Sequence, residues 1–568
     1  FKQKTAYEIR LSLVGSEMCI RDRPGVSVNY TGTREYPYSE QEIVIDRSSF
    51  PGPLKSAEPL RIRAEGVGTH VVGWMRNKVY REDNRENDKD LPVFLPDGSR
   101  NPALYLDGES IGSAGMERAA ERDLRGLRGL RTVKLDTQEK IEVAPQMGKD
   151  VQLTIDIELQ ARIQGLLSPA AKLAVVQPWH STRHNDEELP NGVPTIGEEL
   201  AGSVVVIEVD TGNVLAMVSS PSFTRAQLTE DPGSVFRDRV FMPAINRAIS
   251  QPYAPGSIVK PLVLCEAISQ GKYSPTERIA CTGHFLPNQP NILRCWMEKQ
   301  NHSTHSIRYE RDLDGSDAIM GSCNIFFFEM GKRLGVQGIS DCFRKFGVGP
   351  NAQRWELGLG YEYAGELKTE KSGPSDAYQM GIGQGPIAWT PMHAADSYAT
   401  LGRAGIKIRP RLRADSPTII TDLHLDPAAI DQALKGLERA VTEDVGTAHH
   451  ITVLSLQGER REDIFNVRSE PGIHIWAKSG TADATALVSE TDEQGGKRVL
   501  RDGDHAWCVC LCGDESSGSA RPKYAIAVVC DYGGSGGRVS GPIANQVVRQ
   551  LMELGYLKRS ASTASREP

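Results

Sequence analysis

Three short groups of residues hold the side chains that could do chemistry. In Tyr253-Ala254-Pro255-Gly256-Ser257-Ile258-Val259-Lys260-Pro261, Ser257 and Lys260 stand three positions apart, and on a helix such a pair shares one face. Pro255-Gly256 ends the preceding chain, while Ile258, Val259, Leu262 and Leu264 supply the apolar residues that bury a helix opening near Ser257. Pro261 lacks an N–H, which is tolerable only in a first turn. A serine hydroxyl is a poor nucleophile without a base in reach, and Lys260 is such a base only when neutral. Alone, the pair reads as an ordinary capped helix with a solvated lysine. Two further groups change that reading: Ser322-Cys323-Asn324, just before Ile325-Phe326-Phe327-Phe328, and Lys478-Ser479-Gly480-Thr481, just after Ile473-His474-Ile475-Trp476-Ala477. The ordered set S-x-x-K, S-x-N, K-[ST]-G is far more specific than any member and describes a serine acyl-transfer site.

The elements that position these residues must come from more than one domain, because 568 residues exceed a single core. With 39% hydrophobic and 24% charged residues the composition is that of a globular protein. A net charge of −7 argues against a nucleic-acid binder, and no basic run or zinc-ligand spacing rescues that idea. No stretch approaches the roughly 20 apolar residues of a membrane span. Residues 1–23, ending Glu17-Met18-Cys19-Ile20-Arg21-Asp22-Arg23, read as translated adapter sequence and are set aside. Setting Cys19 aside leaves nine of the ten cysteines. Cys508, Cys510 and Cys512 alternate along one strand face and read as buried small apolar side chains rather than a metal site.

Along the chain, 81–90 reads as a solvated loop and Gly115 to Leu124 as a short charged helix closed by Gly126. Val151 to Ile155 alternates like a strand, and Asp156 is the expected N-cap of the next helix. Gln177 to Glu199 reads as a surface excursion; its His180, His184, Asp186 and Glu187 would allow a metal site, but a solvated loop accounts for them. Strands are expected at Ser203 to Ile207, Asn213 to Val218, Trp476 to Thr481, His505 to Cys512 and Tyr524 to Asp531. These five come from both ends of one region, which predicts an antiparallel sheet closed by chain return and covered by a last helix, Pro542 to Leu554. Gly381-Ile382-Gly383-Gln384-Gly385 lacks the spacing of a phosphate loop and reads as structural, leading to Thr390-Pro391 at a helix start. Gly533 to Gly537 reads as a mobile loop after a strand, at the rim of the site.

With those residues in view, the chain resembles the monofunctional (class B) penicillin-binding proteins, most closely their elongation-type peptidoglycan transpeptidases, the penicillin-binding protein 2 group. Beyond the three motifs, the resemblance rests on Gly202 to Phe223, Asn246-Arg247-Ala248, Gly381 to Gly385, Tyr36-Pro37-Tyr38, His70-Val71-Val72-Gly73 and Gly112 to Gly129. It implies an α+β fold: a serine transpeptidase/β-lactamase-like domain, with a five-stranded antiparallel sheet and helices, behind an elongated mixed α/β pedestal (dimerisation) domain. The implied division is 1–23 adapter-like, 24–165 pedestal, 166–200 polar linker, 201–557 transpeptidase and 558–568 disordered tail. The implied activity is D,D-transpeptidation of peptidoglycan stem peptides ending in D-alanyl-D-alanine, through an acyl-enzyme that β-lactams also form.

In that scheme Ser257 attacks, and Lys260, made less basic by burial and by the charge of Lys478, takes its proton. Ser322 relays a proton and Asn324 holds the substrate amide. Lys478 and Thr481, with Ser479 and Gly480 between them, receive the terminal carboxylate, and the backbone N–H groups of Ser257 and Thr481 form the oxyanion hole. No cofactor and no metal are called for. Cys281 and Cys295 bracket a loop and could pair in an oxidising periplasm, although spacing assigns no bridge. The expected partners are a membrane-embedded glycosyltransferase and other cell-wall elongation proteins, with the chain anchored in the bacterial inner membrane through a segment missing upstream. Segment 301–320 is more polar than the family pattern. Two alternatives stay open: a carboxypeptidase or β-lactamase that passes the acyl group to water through a general base, and a non-catalytic sensor or scaffold.

Overall fold

The computed structural model describes Glu8–Ile9 and residues 34–560, except 81–82, 84–94, 97–100, 102, 106–108, 128, 134–136, 139, 181–189, 456–457, 490–495 and 517. Most of the adapter-like segment, the expected solvated loop at 81–90 apart from Asp83, which is buried, and the tail beyond 560 therefore lie outside the described residues.

Runs of β-branched residues build the centre. Strands β1 (Gly202–Glu208), β2 (Val214–Ser220), β3 (Ile473–Asp483), β4 (Asp504–Asp514) and β5 (Tyr524–Cys530) form one sheet. The spatial order is β2-β1-β5-β4-β3 and every pairing is antiparallel. This matches the expected five-stranded sheet; β1, β3 and β4 reach one to three residues further at each end than expected, β2 runs from one residue later to two residues further, and β5 stops one residue short of Asp531.

The central strands are buried on both faces, and neighbouring residues feed two separate cores. Val205, Ile207, Val509, Leu511, Ala525, Ala527 and Val529 join the helical core on one side. Val204, Val206, Cys508, Cys510, Cys512, Ile526, Val528 and Cys530 face the other side. The expected role of the alternating cysteines, buried free thiols on one strand face, is what the structure shows.

The second core is closed by α1 (Ile157–Leu167), capped by the Asp156 carboxylate as expected. The terminal helix Ser540–Glu553 packs beside it, starting two residues earlier than the expected Pro542. On the outer side of α1 lies the hairpin Glu40–Ile45/Leu60–Glu65 of the N-terminal domain. Gly165 allows this contact, since a Cβ there would meet Ile43 Cδ1 at 2.1 Å. Further hairpins, Trp74–Arg76/Ile111–Ala114 and Leu130–Val133/Lys140–Val143, complete the mixed N-terminal part. The expected single helix from Gly115 is two short ones, Gly115–Ala119 and Glu121–Arg125, broken at Ala120 and stopped at Gly126.

A second correction concerns the excursion after 177: Trp179 and His180 are buried, so the fully solvated loop fails there. Desolvation carries the His180 imidazole down to about 3, which keeps it neutral. No helix among the described residues is long and apolar enough to cross a membrane.

Candidate active site

The serine motif forms a tight turn before it forms a helix. Gly256–Val259 is a 3-10 turn that runs into α2 (Lys260–Ser269), with Pro261 in the first turn. Two glycines make room for it. Gly256 has φ +60° and lies against the Thr481 carbonyl, while Gly383 has φ +76° and would place a Cβ 2.1 Å from the Gly256 carbonyl. The Gly256 N–H donates to the Gly383 carbonyl at 2.8 Å, and Tyr398 OH donates to the Ile258 carbonyl at 3.0 Å. The segment leading in is held by Arg247, whose buried guanidinium bonds Asp531 at the end of β5. Ser257 itself stays half-buried. Its Oγ makes no protein hydrogen bond among the described residues.

Lys260 is fully buried beneath this turn. Its Nζ donates to the Ser322 carbonyl at 2.8 Å and to Asn324 Oδ1 at 2.8 Å, and lies 3.1 Å from Ser322 Oγ. The first two oxygens can only accept, so they use two N–H groups; the third position can be a proton or a lone pair. Desolvation carries Lys260 down to about 8, with the Cys323 and Cys295 sulfurs pulling the other way. Lys478 is likewise fully buried, and burial together with repulsion between its charge and that of Lys260 holds it well below the ordinary lysine range. Lys478 Nζ donates to the Ser479 carbonyl at 2.8 Å.

Ser322 sits at φ +53°, a left-handed conformation uncommon for serine. It lies between the short helix α3 (Gly315–Met320) and α4 (Asn324–Lys345), which is interrupted at Gly335. Asn324 Nδ2 donates to the Arg294 carbonyl at 3.3 Å, so the side chain is held at both ends. The third wall is β3, the edge strand of the sheet. Ser479 Oγ donates to the Thr447 carbonyl at 3.2 Å. Gly480 is required by packing, because a Cβ would lie 2.9 Å from Ile258 Cγ2.

The walls enclose a groove of about 590 Å³ lined by Ser257, Ser322, Asn324, Ser479, Gly480 and Thr481. All six come from the three sequence motifs, while Lys260 and Lys478 lie beneath its floor. Sequence reasoning missed Arg294, Lys299 and Thr447, which also line the groove. Ile382 and Gln384 line it too, so the Gly381 to Gly385 segment borders the site as well as supporting the serine turn. Ser535 and Gly537 stand at its rim. The single carboxylate lining the groove among the described residues is Asp483, exposed at the last position of β3.

Behind Ser322 lies a second cluster. Cys281, Cys295, His305 and Cys323 are buried, and their donor atoms all lie within 4.8 Å of one another. His305 Nε2 is 2.8 Å from the Gly321 carbonyl, which can only accept. In the neutral ring the lone pair of Nδ1 therefore faces the Cys281 and Cys295 sulfurs, at 3.5 and 3.4 Å. Hydrogen bonds from Cys281 and Cys323 drive the Cys295 thiol far below its usual range. Three sulfurs and one imidazole match the closed tetrahedral donor set of a zinc-class cation. The sequence calls for no metal here; in the structure, residues scattered over Cys281 to Cys323 converge into a donor set that would fit one. Cys281 and Cys295 are free thiols, not a bridge.

Comparison with known proteins agrees with this geometry. The penicillin binding protein transpeptidase domain model matches residues 202–553, and the penicillin-binding protein dimerisation domain model matches residues 12–153. Peptidoglycan D,D-transpeptidase MrdA of Salmonella typhimurium is 25% identical over 564 residues, covering 93% of this chain and 74% of the relative. The crystal structure of Pseudomonas aeruginosa PBP2 in complex with WCK 5153 superposes with a TM-score of 0.60 at 25% identity, covering 88% of this chain and 92% of that one. Helicobacter pylori PBP2, in a complex with MreC, has a TM-score of 0.62 at 18% identity, covering 88% and 80%; it shares the fold. With both domain models in place and the three motifs around one groove, the chain belongs to the penicillin-binding protein transpeptidase family, in its monofunctional PBP2 group.

Proposed function

We propose that this chain is a peptidoglycan D,D-transpeptidase that works through an ester on Ser257. The observation that carries the reading is the placement of Lys260. Its amine is buried under the serine turn and its two N–H groups are engaged by the Ser322 carbonyl and Asn324 Oδ1. The remaining position of a neutral amine is thus free to take a proton from Ser257 or exchange one with Ser322.

Ser257 Oγ attacks the carbonyl of the penultimate D-alanine as Lys260 takes the hydroxyl proton. The N–H groups of Ser257 and Thr481 stabilise the oxyanion, a contribution of about 3 kcal/mol per donor in serine enzymes. The proton returns through Ser322 to the leaving D-alanine amine. Because β3 is an edge strand, an extended stem peptide lies along it and pairs with its backbone. Asn324 then holds the substrate amide. The terminal carboxylate meets Thr481 and the Lys478 end of the strand, and its negative charge restores the proton that burial removes from Lys478. The cluster behind Ser322 takes no part in the acyl chemistry; Cys281, Cys295, His305 and Cys323 would hold a zinc-class cation that would supply structure only.

An amine from a second stem resolves the ester and forms the cross-link. Hydrolysis would need a base against the ester. The carboxylate that lines the groove, Asp483, is exposed two residues beyond Thr481, roughly 6 Å along the strand. This supports transfer over the carboxypeptidase and β-lactamase readings. The engaged Lys260 speaks against a non-catalytic sensor. The same reading puts the catalytic domain in the bacterial periplasm, tethered to the inner membrane beside a glycosyltransferase and other elongation proteins; the MreC complex of the Helicobacter pylori neighbour supports a partner of that kind.

Intact-protein mass after exposure to a labelled penicillin tests this. One stable adduct, absent from Ser257→Ala, is the expected result, with D-alanine released only when an acceptor amine is supplied. Rapid drug turnover would replace the proposal with the hydrolase reading, and an adduct surviving in Ser257→Ala would overturn it.

A further inference from the structure

We infer that the rim of the groove carries an exchangeable divalent-cation site on Asp444, His449 and His450, whose open fourth position takes a carboxylate of the molecule lying in the groove. The carboxylate half of this inference rests on the acyl-enzyme reading above, through which it is measured.

The three residues follow the helix Pro427–Thr442 and lead into the hairpin His450–Ser455/Gly458–Asp463. Their donor atoms all lie within 4.8 Å of one another. The imidazoles come closest, with His449 Nδ1 and His450 Nδ1 3.3 Å apart. Two nitrogens with that separation, each at the usual zinc distance of about 2.05 Å, subtend about 107° at the ion, close to a tetrahedral angle. Asp444 is exposed, so its short side chain can turn to the ion without repacking.

A positive group already sits among these donors. Arg461 Nη2 donates to Asp444 Oδ1 at 2.6 Å and to His450 Nδ1 at 2.8 Å. A guanidinium only donates, so the His450 lone pair is aimed at a cation. With side chains 51% and 64% exposed, Arg461 and Asp444 part at little cost, and a metal ion takes the place of the guanidinium. His449 is turned the other way: its Nε2 accepts from Arg468 Nη2 at 3.3 Å, so Nδ1 carries the ring proton. Binding moves that proton to Nε2 and frees Arg468, which keeps its bond to Asp463 at 2.9 Å. Burial, with Arg468 beside His449 and Arg461 beside His450, holds both rings below the ordinary histidine range. Both imidazoles are therefore neutral at neutral pH, the form that ligates metals.

Two imidazoles and one carboxylate leave the fourth position of a zinc-class ion open, as in sites that exchange ligands. His450 lines the groove together with Gly446 and Thr447, and the Thr447 carbonyl holds Ser479 Oγ. A carboxylate carried by a groove ligand, beyond the terminal one at Thr481, is the anion that meets this position.

The test counts zinc per full chain by equilibrium dialysis and mass spectrometry, with parent and variants at the same free zinc. His449→Ala and Asp444→Asn should each lose one weakly held zinc, with affinity down at least about tenfold. Arg461→Ala should bind that zinc about tenfold more tightly, because the competing cation is gone; this result stands even if His449→Ala does not fold. His424→Ala, an exposed histidine paired with Asp422, should match the parent. A second arm compares acylation by a penicillin bearing a side-chain carboxylate with acylation by its neutral counterpart. Zinc should favour the first over the second at least about fivefold in the parent and not in Asp444→Asn. Equal zinc counts in parent, His449→Ala and Asp444→Asn overturn the inference, as does weaker binding in Arg461→Ala. A zinc effect equal for both penicillins overturns it too, by leaving the open position unused. Zinc counts need no acylation, so failure of the acyl-enzyme reading appears separately, as an adduct persisting in Ser257→Ala.

Discussion

The pH dependence of acylation follows directly from the burial of Lys260. A lysine in water titrates near 10.5, and here desolvation brings Lys260 to about 8. At pH 7 about one lysine in ten is then neutral, against about one in 3,000 in water. The shift corresponds to about 3 kcal/mol, so the site makes its base available roughly 300 times more often. The second-order rate of acylation by a fluorescent penicillin, measured by stopped flow from pH 5.5 to 9.5, should rise about tenfold per pH unit below 8 and level off above. Lys260→Arg should abolish acylation at every pH, since a guanidinium does not deprotonate. The linkage sign gives an independent check. The folded pKa is the lower one, so between pH 8 and 10.5 the unfolded chain binds more protons and stability rises with pH. That rise should disappear in Lys260→Met. A flat acylation profile from pH 6 to 9, or activity in Lys260→Arg, would refute Lys260 as the base.

Gly383→Ala should reduce acylation at least about tenfold and lower the melting temperature, because the new methyl meets the Gly256 carbonyl at 2.1 Å and the residue sits at φ +76°; calorimetry and the penicillin assay read both. Asp156→Ala removes the N-cap of α1 and the bond from Tyr556 OH at 2.6 Å, and should cost about 1–2 kcal/mol in urea unfolding while leaving the acylation rate unchanged. Asp514 is buried, yet bonds from Lys523, Ser516 and the Lys558 N–H hold its carboxyl well below the ordinary range. Its contribution is present above about pH 4 and lost as pH falls through the depressed value. Asp514→Asn should therefore be less stable than the parent at neutral pH and approach it in acid melts.

How much of this was legible beforehand depends on whether a feature is local. Ser257 and Lys260, or Lys478 and Thr481, are close neighbours in sequence, and strand alternation marks the sheet, so the motifs and architecture could be read in line. The groove also needed Arg294, Lys299 and Gln384, which no spacing links to the motifs. The metal-like cluster was hidden for the same reason: Cys281, Cys295, His305 and Cys323 have no two members within nine positions of each other, so no ligand pattern forms until α4 and the preceding loops meet. Composition misled at His180, because a polar stretch predicts exposure on average and says nothing about the one side chain that turns inward. The full burial of both Lys260 and Lys478 is set by tertiary packing, which periodicity does not report.

The sheet order has a consequence for synthesis. Gly202 pairs with Cys530, and β3, which walls the groove, is joined to β1 only through β4 and β5. A chain emerging from the N-terminus presents Ser257, Lys260 and Ser322 long before β3, β4 or β5 exists. The nucleophile turn therefore has no opposing wall until β5 has been made and has crossed back to β1. Such distant pairings delay folding and prolong exposure of apolar strands. A growing chain should stay unable to bind penicillin until nearly its last fifty residues are free, and should depend on holding factors for most of that time.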